Sequence, residues 1–314
     1  MQVLRGIPDQ ADQSAVLTIG NFDGVHRGHQ ALLKLLTDKA HALGLPAVVL
    51  TFEPHPREYF SPADAPARLA SLREKLLLLS ACGVDRTHIC RFDARFAALS
   101  AEDFIDRILV RGLATRHLYI GDDFRFGARR QGDFAMLQNA GERHGFTLES
   151  METLDVGGER ASSSAVRAAL ATGDLDRAAG LLGRPYSIAG RVVHGDKIGR
   201  RLGFPTANVH MRHRRPALSG VFAVRIEGLT DHAVGGVANV GIRPTATDAA
   251  RPRLEVHLFD WKRDCYGAHL RVHFLHKLRD ERKFDSLDAL TAQITRDADA
   301  ARAWLAHNPN RLQG

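Results

Sequence analysis

Apolar positions in the first half of the chain alternate between two periods. Continuous apolar runs at 15–19 and 47–52 are typical of strands buried on both faces. From Leu32 to Leu43 the leucines recur at helical spacing, and Gly44 predicts a C-cap. Further helices are predicted at 71–82 and 101–111, and further strands at 86–91, 116–120 and 146–150. Because strand and helix alternate, this half predicts a parallel sheet covered on both faces.

The pattern changes after a helical stretch predicted near 164–182. Short runs rich in Val, Ile, Leu and Phe follow, separated by Gly, Pro and Asp, at 187–194, 220–228, 232–240, 253–260 and 269–276. Such runs indicate an antiparallel barrel or sandwich. A single helical pattern, from Leu287 to Leu305, closes the chain. We therefore expect an α/β fold followed by a β fold, with domains at 1–183 and 184–314.

Charge is distributed unevenly between these halves. The 314 residues include 43 Lys+Arg and 36 Asp+Glu, for a net charge of +7. Residues 1–183 hold 21 basic and 23 acidic side chains, or −2, whereas residues 184–314 hold 22 and 13, or +9. The basic half is expected to meet an anion, either nucleotide phosphates or nucleic acid. A composition of 44% apolar and 25% charged residues excludes disorder as the main state.

The apolar runs, the N-terminal residues and the cysteine spacing indicate the cellular location and the redox state of the cysteines. No run approaches the roughly 18 apolar residues of a membrane-spanning helix, and the start has no basic-then-apolar secretory pattern. The three cysteines, Cys82, Cys90 and Cys265, have no zinc-site spacing and are expected to be reduced packing residues. We expect a cytoplasmic protein.

The segment Gly20–His29, GNFDGVHRGH, lies between the first strand and the first helix. That turn is a ligand site in open α/β sheets, because helix N–H groups point into the crevice beyond the strand ends. His26 and His29 are three residues apart, so both rings are predicted on one face. Two surface histidines or a metal pair are alternatives, although no third ligand accompanies the pair.

Other segments carry candidate chemistry with ordinary alternatives. Gly121–Gly127, GDDFRFG, is a loop with paired carboxylates, or simply an exposed acidic turn. Ser162–Ser164 precedes a helical pattern and would also serve as an N-cap. Thr206 and Asn208 place hard oxygen ligands on one side of an extended segment, which suits Mg²⁺, or form a plain turn. Glu255, predicted to begin a strand, would usually face solvent.

Taken together, these motifs resemble the bacterial bifunctional riboflavin kinase/FAD synthetase family. The likeness rests on GNFDGVHRGH, TFEPHP, GDDFRFG, SSSAVR, GFPTAN, GVANVGIRPT and EVHLFD. It implies an N-terminal Rossmann-like nucleotidyltransferase domain and a C-terminal antiparallel β-barrel kinase domain with a terminal helix. It also implies conversion of riboflavin to FMN and of FMN to FAD, with ATP and Mg²⁺ at two separate sites.

The resemblance assigns roles to individual residues. The catalytic set that it implies is His26, His29, Arg167 and Glu255, with Glu255 as the base for the ribityl hydroxyl. Mg²⁺ would be held by Thr206 and Asn208. The flavin would contact Phe124, Phe126, Arg279 and Arg282. ATP or its phosphates would contact Gly20, Asn21, Phe22, Gly28, Asp123, Ser162, Ser163, Ser164, Gly195, Lys197 and Gly203.

Two other functions remain open from the sequence. A cytidylyltransferase acting on a phosphorylated alcohol would leave Glu255 and the PTAN segment without a role. An RNA-binding module would use the +9 half, but the basic stretches lack interleaved aromatic residues. We therefore expect riboflavin, FMN and ATP as partners, and no nucleic acid, membrane or obligatory protein partner.

Overall fold

The computed structural model describes residues 1–151, 154–195, 203–212, 215–243, 251–309 and 311. The chain forms two compact units. The first comprises Met1–Pro66 with Leu72–Ala161, and the second Ala67–Ser71 with Ser162–Gly314. Contacts thus group the helices near 163–182 with the second unit. The functional boundary at 183/184 stays a prediction.

Six strands in the described part of the first unit form one sheet in the order β1-β4-β3-β2-β5-β6, and every neighbouring pair is parallel. The strands are β1 Gln2–Arg5, β2 Ala15–Ile19, β3 Ala47–Glu53, β4 Arg86–Arg91, β5 Thr115–Gly121 and β6 Thr147–Met151. A hairpin follows, β7 Asp155–Val156 with β8 Glu159–Arg160. Since β2 pairs with both β3 and β5, its carboxyl end is the switch point at which α/β sheets bind ligands.

Helices cover both faces of this sheet. They are α1 Arg27–Leu43, α2 Pro56–Phe60, α3 Leu72–Ala81, α4 Ala94–Ala97, α5 Ala101–Asp103 and α6 Phe134–His144, with a π-helix at Phe104–Gly112 and a 3₁₀ turn at Ala128–Arg130. Leu33 and Leu36 of α1 pack with Leu79 of α3 in one apolar cluster, and the π-helix packs into another. The C-cap prediction is confirmed, because Gly44 has φ 61. The predicted helix at 101–111 is mostly π-helical.

The second unit begins with two helices rather than one. α7 Ser163–Thr172 ends at Gly173, whose φ of 80 suits glycine, and Asp174 then caps α8 Leu175–Leu182. The helical stretch predicted near 164–182 is therefore confirmed, but a break at Gly173 and Asp174 divides it into two helices. At the end of the chain, α9 Leu287–His307 confirms the predicted terminal helix.

In the described part of the second unit six strands close a barrel in the order β10-β13-β12-β11-β14-β9, with all neighbours antiparallel. They are β9 Ser187–Val193, β10 Thr206–His210, β11 Gly220–Glu227, β12 Val234–Arg243, β13 Arg251–Leu258 and β14 His269–Arg279. The barrel prediction is confirmed, and the apolar pattern missed only β10. Glu255 lies inside β13 and does not begin it, which corrects the prediction.

Candidate active sites

The loop after β2 is tightly wound and buried. Phe22 and Val25 are fully buried with φ of 48 and 42, a left-handed conformation that costs a bulky residue roughly 1–2 kcal/mol. Strain of this kind is often found at functional sites. Three glycines, Gly20, Gly24 and Gly28, also lie in this segment, and Gly24 has φ 80. At Gly28 a Cβ would stand 3.1 Å from the carbonyl oxygen of Ala161, so only glycine lets the helix start approach that backbone freely.

His26 and His29 are brought together as the spacing predicted. His26 is the N-cap of α1, and its Nδ1 accepts a hydrogen bond from the His29 backbone N at 3.4 Å. The two rings stack with centroids 3.7 Å apart, and the Phe22 ring lies 4.9 Å from His29. No group of three metal-ligating His, Cys, Asp or Glu occurs among the described residues. The metal-pair alternative therefore gains no support.

His29 is held in its neutral form. Burial lowers the pKa of His29 well below its usual value, and the charges of His26 and Lys75 lower it further. Its Nδ1 is buried and has no hydrogen-bond partner among the described residues. The side-chain oxygen of Asn21 is likewise buried without a partner there. The loop therefore presents polar atoms that a ligand could satisfy.

The Gly121–Gly127 loop divides into an exposed acidic part and a buried aromatic part. Arg160 Nη2 lies 3.4 Å from Asp122 Oδ1 and 3.7 Å from Asp123 Oδ2, and the Asp123 side chain is 80% exposed. Phe126 is only 5% exposed and lies in the apolar core, whereas Phe124 is half-buried beside it, with ring centroids 5.8 Å apart. Of the two predicted flavin residues in this loop, Phe124 is the more accessible.

The serine segment and Arg167 belong to the second unit. Ser162 Oγ accepts a hydrogen bond from Ala165 N at 3.1 Å, so Ser162 is an N-cap, the alternative that the sequence offered. Ser163 begins α7, and Ser164 is exposed on its first turn. Arg167 Nε donates to the Ala67 carbonyl at 2.6 Å.

Three polar side chains form a row across the barrel. Glu255 of β13 pairs in register with Asn208 of β10 on one side and Asn239 of β12 on the other. The neighbours Leu254 and Val256 are buried, so the alternation of a strand puts the polar row on the outer face. The Glu255 side chain is 29% exposed, and its Oε1 lies 4.0 Å from an Arg253 nitrogen.

Asn239 links this row to the segment after β14. Its Nδ2 donates to Glu281 Oε1 at 3.2 Å, while its Oδ1 is buried without a partner among the described residues. Sequence reasoning missed both residues, although Asn239 lies in the GVANVGIRPT motif. Only the strand register brings Asn239 beside Glu255.

Thr206 and Asn208 lie on the same side of β10, as predicted for an extended segment. A Cβ on Gly195 would overlap the Asn208 amide, so glycine is required for that close approach. Gly203, with φ 83, precedes β10. The predicted phosphate residue Lys197 lies outside the described residues.

Arg279 and Arg282 flank one aromatic ring. Arg279 forms a bidentate ion pair with buried Asp297 of α9: its Nε donates to Oδ1 at 3.1 Å and its Nη2 donates to Oδ2 at 2.8 Å. Both guanidinium groups lie over the Phe284 ring, at 5.7 and 4.8 Å from its centroid. Arg279 therefore ties the terminal helix to the barrel, and Arg282 is exposed.

Two family models match the chain in tandem: FAD synthetase over residues 9–165 and riboflavin kinase over residues 182–305. The chain belongs to the bifunctional riboflavin kinase/FMN adenylyltransferase family. It is 52% identical over 307 residues to the family member of Escherichia coli strain K12, covering 97% of this chain and 98% of that one. It is 49% identical to the member of Pseudomonas fluorescens, covering 99% and 100%.

A solved structure from Streptococcus pneumoniae, described as a macrolide-efflux protein, is also similar. It shares 29% identity with a TM-score of 0.81, covering 97% of this chain and 100% of that one. Within the described part of this chain, no helix has the length and apolar character needed to cross a membrane.

Proposed function

We propose that this chain phosphorylates riboflavin to FMN and then adenylylates FMN to FAD, using ATP in both steps. The observation that carries the proposal is that each family model covers a segment with its own polar site: the histidine loop in one and the Glu255 row in the other. A cytidylyltransferase would need only the first.

In the kinase step the ribityl 5′-hydroxyl attacks the γ-phosphorus of ATP. An O–P bond forms, the bond from the γ-phosphorus to the bridging oxygen breaks, ADP leaves, and the hydroxyl proton passes to a base. We assign Glu255 as that base. Its partial exposure supports contact with substrate, and its place between Asn208 and Asn239 inside β13 supports a fixed orientation.

We propose that Thr206 and Asn208 bind Mg²⁺ with the phosphates of ATP. Their hydroxyl and amide oxygens are hard donors suited to this ion, and the glycine at position 195 keeps the Asn208 amide uncrowded. When bound, Mg²⁺ would neutralise charge on the phosphates. Gly195, Lys197 and Gly203 are proposed phosphate contacts of the same site.

Gly195→Ala tests whether the Asn208 position matters. The added Cβ would push the Asn208 amide aside. Because a displacement of about 1 Å in an active site can lower the rate strongly, riboflavin phosphorylation should fall roughly 10–100-fold. FMN adenylylation by the same molecules should stay within about twofold. Both rates are measured by separating flavins chromatographically.

Gly180→Ala is the matched control, because a Cβ at that position in α8 meets nothing within 4 Å. It should leave both rates unchanged. Normal phosphorylation by Gly195→Ala would remove Asn208 from the proposed site.

In the adenylyl step a phosphate oxygen of FMN attacks the α-phosphorus of ATP, the bond to the bridging oxygen of the β-phosphate breaks, and pyrophosphate leaves. Catalysis then consists mainly of placement and of charge stabilisation. We propose His26, His29 and Arg167 as donors to the phosphates. The remaining proposed ATP contacts are Gly20, Asn21, Phe22, Gly28, Asp123, Ser162, Ser163 and Ser164.

The burial of the four proposed flavin residues favours direct contact by some of them and an indirect role for the others. Burial in the core argues against direct contact by Phe126, so we propose Phe124 as the ring nearer the isoalloxazine and Phe126 as its packing support. Beside the kinase site, Arg282 is exposed and is the better candidate. Arg279 would act by holding α9 in place.

We propose that the basic half, residues 184–314, uses its positive charge to bind the phosphates of ATP. We also propose that the chain has no nucleic acid, membrane or obligatory protein partner. We also propose a cytoplasmic location: all three cysteines lie among the described residues and none forms a disulfide, as is usual in a reducing compartment. Residues 1–183 would serve the adenylyl step and 184–314 the kinase step.

The purified chain incubated with riboflavin, ATP and Mg²⁺ should form first FMN and then FAD. EDTA should stop both steps, since each is proposed to use metal-complexed ATP. CTP in place of ATP tests the cytidylyltransferase alternative. Persistent riboflavin and FMN under these conditions would contradict the proposed function.

A further inference from the structure

Helix α3 contributes a buried lysine to the first unit. Lys75, in the first turn of α3, is only 4% exposed. Lysine is almost never fully buried without compensation, because desolvating an ammonium is costly. A buried lysine near a proposed site therefore calls for an explanation, and the adenylyl mechanism given above does not use it.

The contacts of Lys75 lead to the histidine loop. Its Nζ donates to Thr51 Oγ1 at 3.4 Å, and Thr51 is fully buried near the carboxyl end of β3. Thr51 Oγ1 in turn donates to the backbone carbonyl of Asn21 at 3.3 Å. One chain of hydrogen bonds thus joins α3 to the loop that follows β2.

The charge of Lys75 also acts on His29. It is one of the causes that lower the pKa of His29, after burial and His26. A lysine that acts on His29 electrostatically will act with opposite sign on an anion bound beside that ring. The neutral His29 itself supplies a donor but no net charge to offset a triphosphate.

From this geometry we propose that Lys75 supplies a fixed positive charge that binds the triphosphate of ATP at the adenylyl site and, through Thr51, positions the Asn21 loop. The inference rests on the proposed FMN adenylylation and adds a residue to it. It predicts that charge at position 75 matters to ATP and not to the flavin.

A purely structural role is the competing explanation. Asp23 and Glu74 are also buried, and Lys75 could serve only to balance buried carboxylates. Removing the lysine would then lower stability, and its effect on adenylylation would not be specific to the phosphates of ATP. The two roles therefore differ in their kinetic signature.

Lys75→Met retains an unbranched side chain and removes the charge. In the adenylyl reaction its KM for ATP should rise about 10–100-fold, the range expected for loss of one charged interaction, while the KM for FMN changes little. Inorganic tripolyphosphate serves as a competitive inhibitor of this step, and its inhibition of Lys75→Met should be weaker than that of the parent by a similar factor. Riboflavin phosphorylation in the same molecules should keep its KM for ATP.

Three further measurements separate charge from packing. Lys75→Arg should recover most of the ATP affinity, whereas Lys34→Met, at an exposed position of α1, should behave as the parent. In Lys75→Met the pKa of His29, followed by NMR, should rise because one repulsive charge is gone. Thr51→Val keeps the charge and cuts the link to Asn21, so it should lower kcat more than it changes tripolyphosphate inhibition.

The outcomes distinguish this inference from the function on which it rests. A parent chain that makes no FAD contradicts the proposed function. An active parent, together with a folded Lys75→Met of unchanged KM for ATP and unchanged tripolyphosphate inhibition, overturns the role of Lys75. If Lys75→Met does not fold, the test passes to Lys75→Arg, which keeps the charge. A folded Lys75→Arg whose tripolyphosphate inhibition is weakened about 10–100-fold, as if the charge had been removed, would overturn the role of Lys75 equally.

Discussion

Replacing Glu255 with Gln is expected to lower FMN formation from riboflavin by about 10³-fold, within the range for loss of a general base. Gln has nearly the same size and can keep the position between Asn208 and Asn239. It cannot accept the hydroxyl proton. The rate is measured from riboflavin, ATP and Mg²⁺ at saturating concentrations, so that a change in binding is not mistaken for a change in chemistry.

The second activity of the chain is the internal control for Glu255→Gln. FAD formation from supplied FMN should stay at the parental rate, which shows that the protein is folded. Asp231→Asn, an exposed carboxylate in the loop before β12, should affect neither reaction. Near-normal FMN formation by Glu255→Gln would assign the base role to another residue, and Glu281 would then be the first to test because it contacts Asn239.

The local pattern of apolar residues was sufficient to predict most of the helices and strands. The strands at 15–19 and 47–52 are continuous apolar runs, and both became buried strands of the parallel sheet. The strand β10 was missed because TANVH contains only two buried residues, Ala207 and Val209, and is as polar as a turn. Its identity as a strand depends on hydrogen bonds to two other strands, the preceding β9 and the distant β13.

The same distinction applies to the sites. His26 and His29 are three residues apart, so their proximity follows from local helix geometry and was predictable. Glu255, Asn208 and Asn239 meet through strand register, which a single sequence does not reveal. Lys75 was missed for a related reason: a lysine in a helical pattern is usually exposed, and only the packing of α3 against β3 explains its burial.

The loss expected for His29→Ala is about 10²–10³-fold in FAD formation from FMN, the range for removal of one preorganised donor. The half-buried ring packs against His26 and Phe22, so truncation removes both a donor and the packing that fixes the loop. His26→Ala should cause a comparable loss. It removes a donor and the N-cap of α1, whose absence costs about 1 kcal/mol of stability.

Riboflavin phosphorylation decides how these losses are interpreted. Because the kinase residues lie in the other unit, both histidine variants should make FMN at nearly the parental rate. His41→Ala, at an exposed position in the last turn of α1, is the matched control and should change neither reaction. His29→Gln restores a hydrogen-bond donor without the ring and should recover part of the loss, since donation to the phosphates is the proposed role. Equal loss of both activities in a folded His29→Ala would mean that the two reactions do not have separate sites.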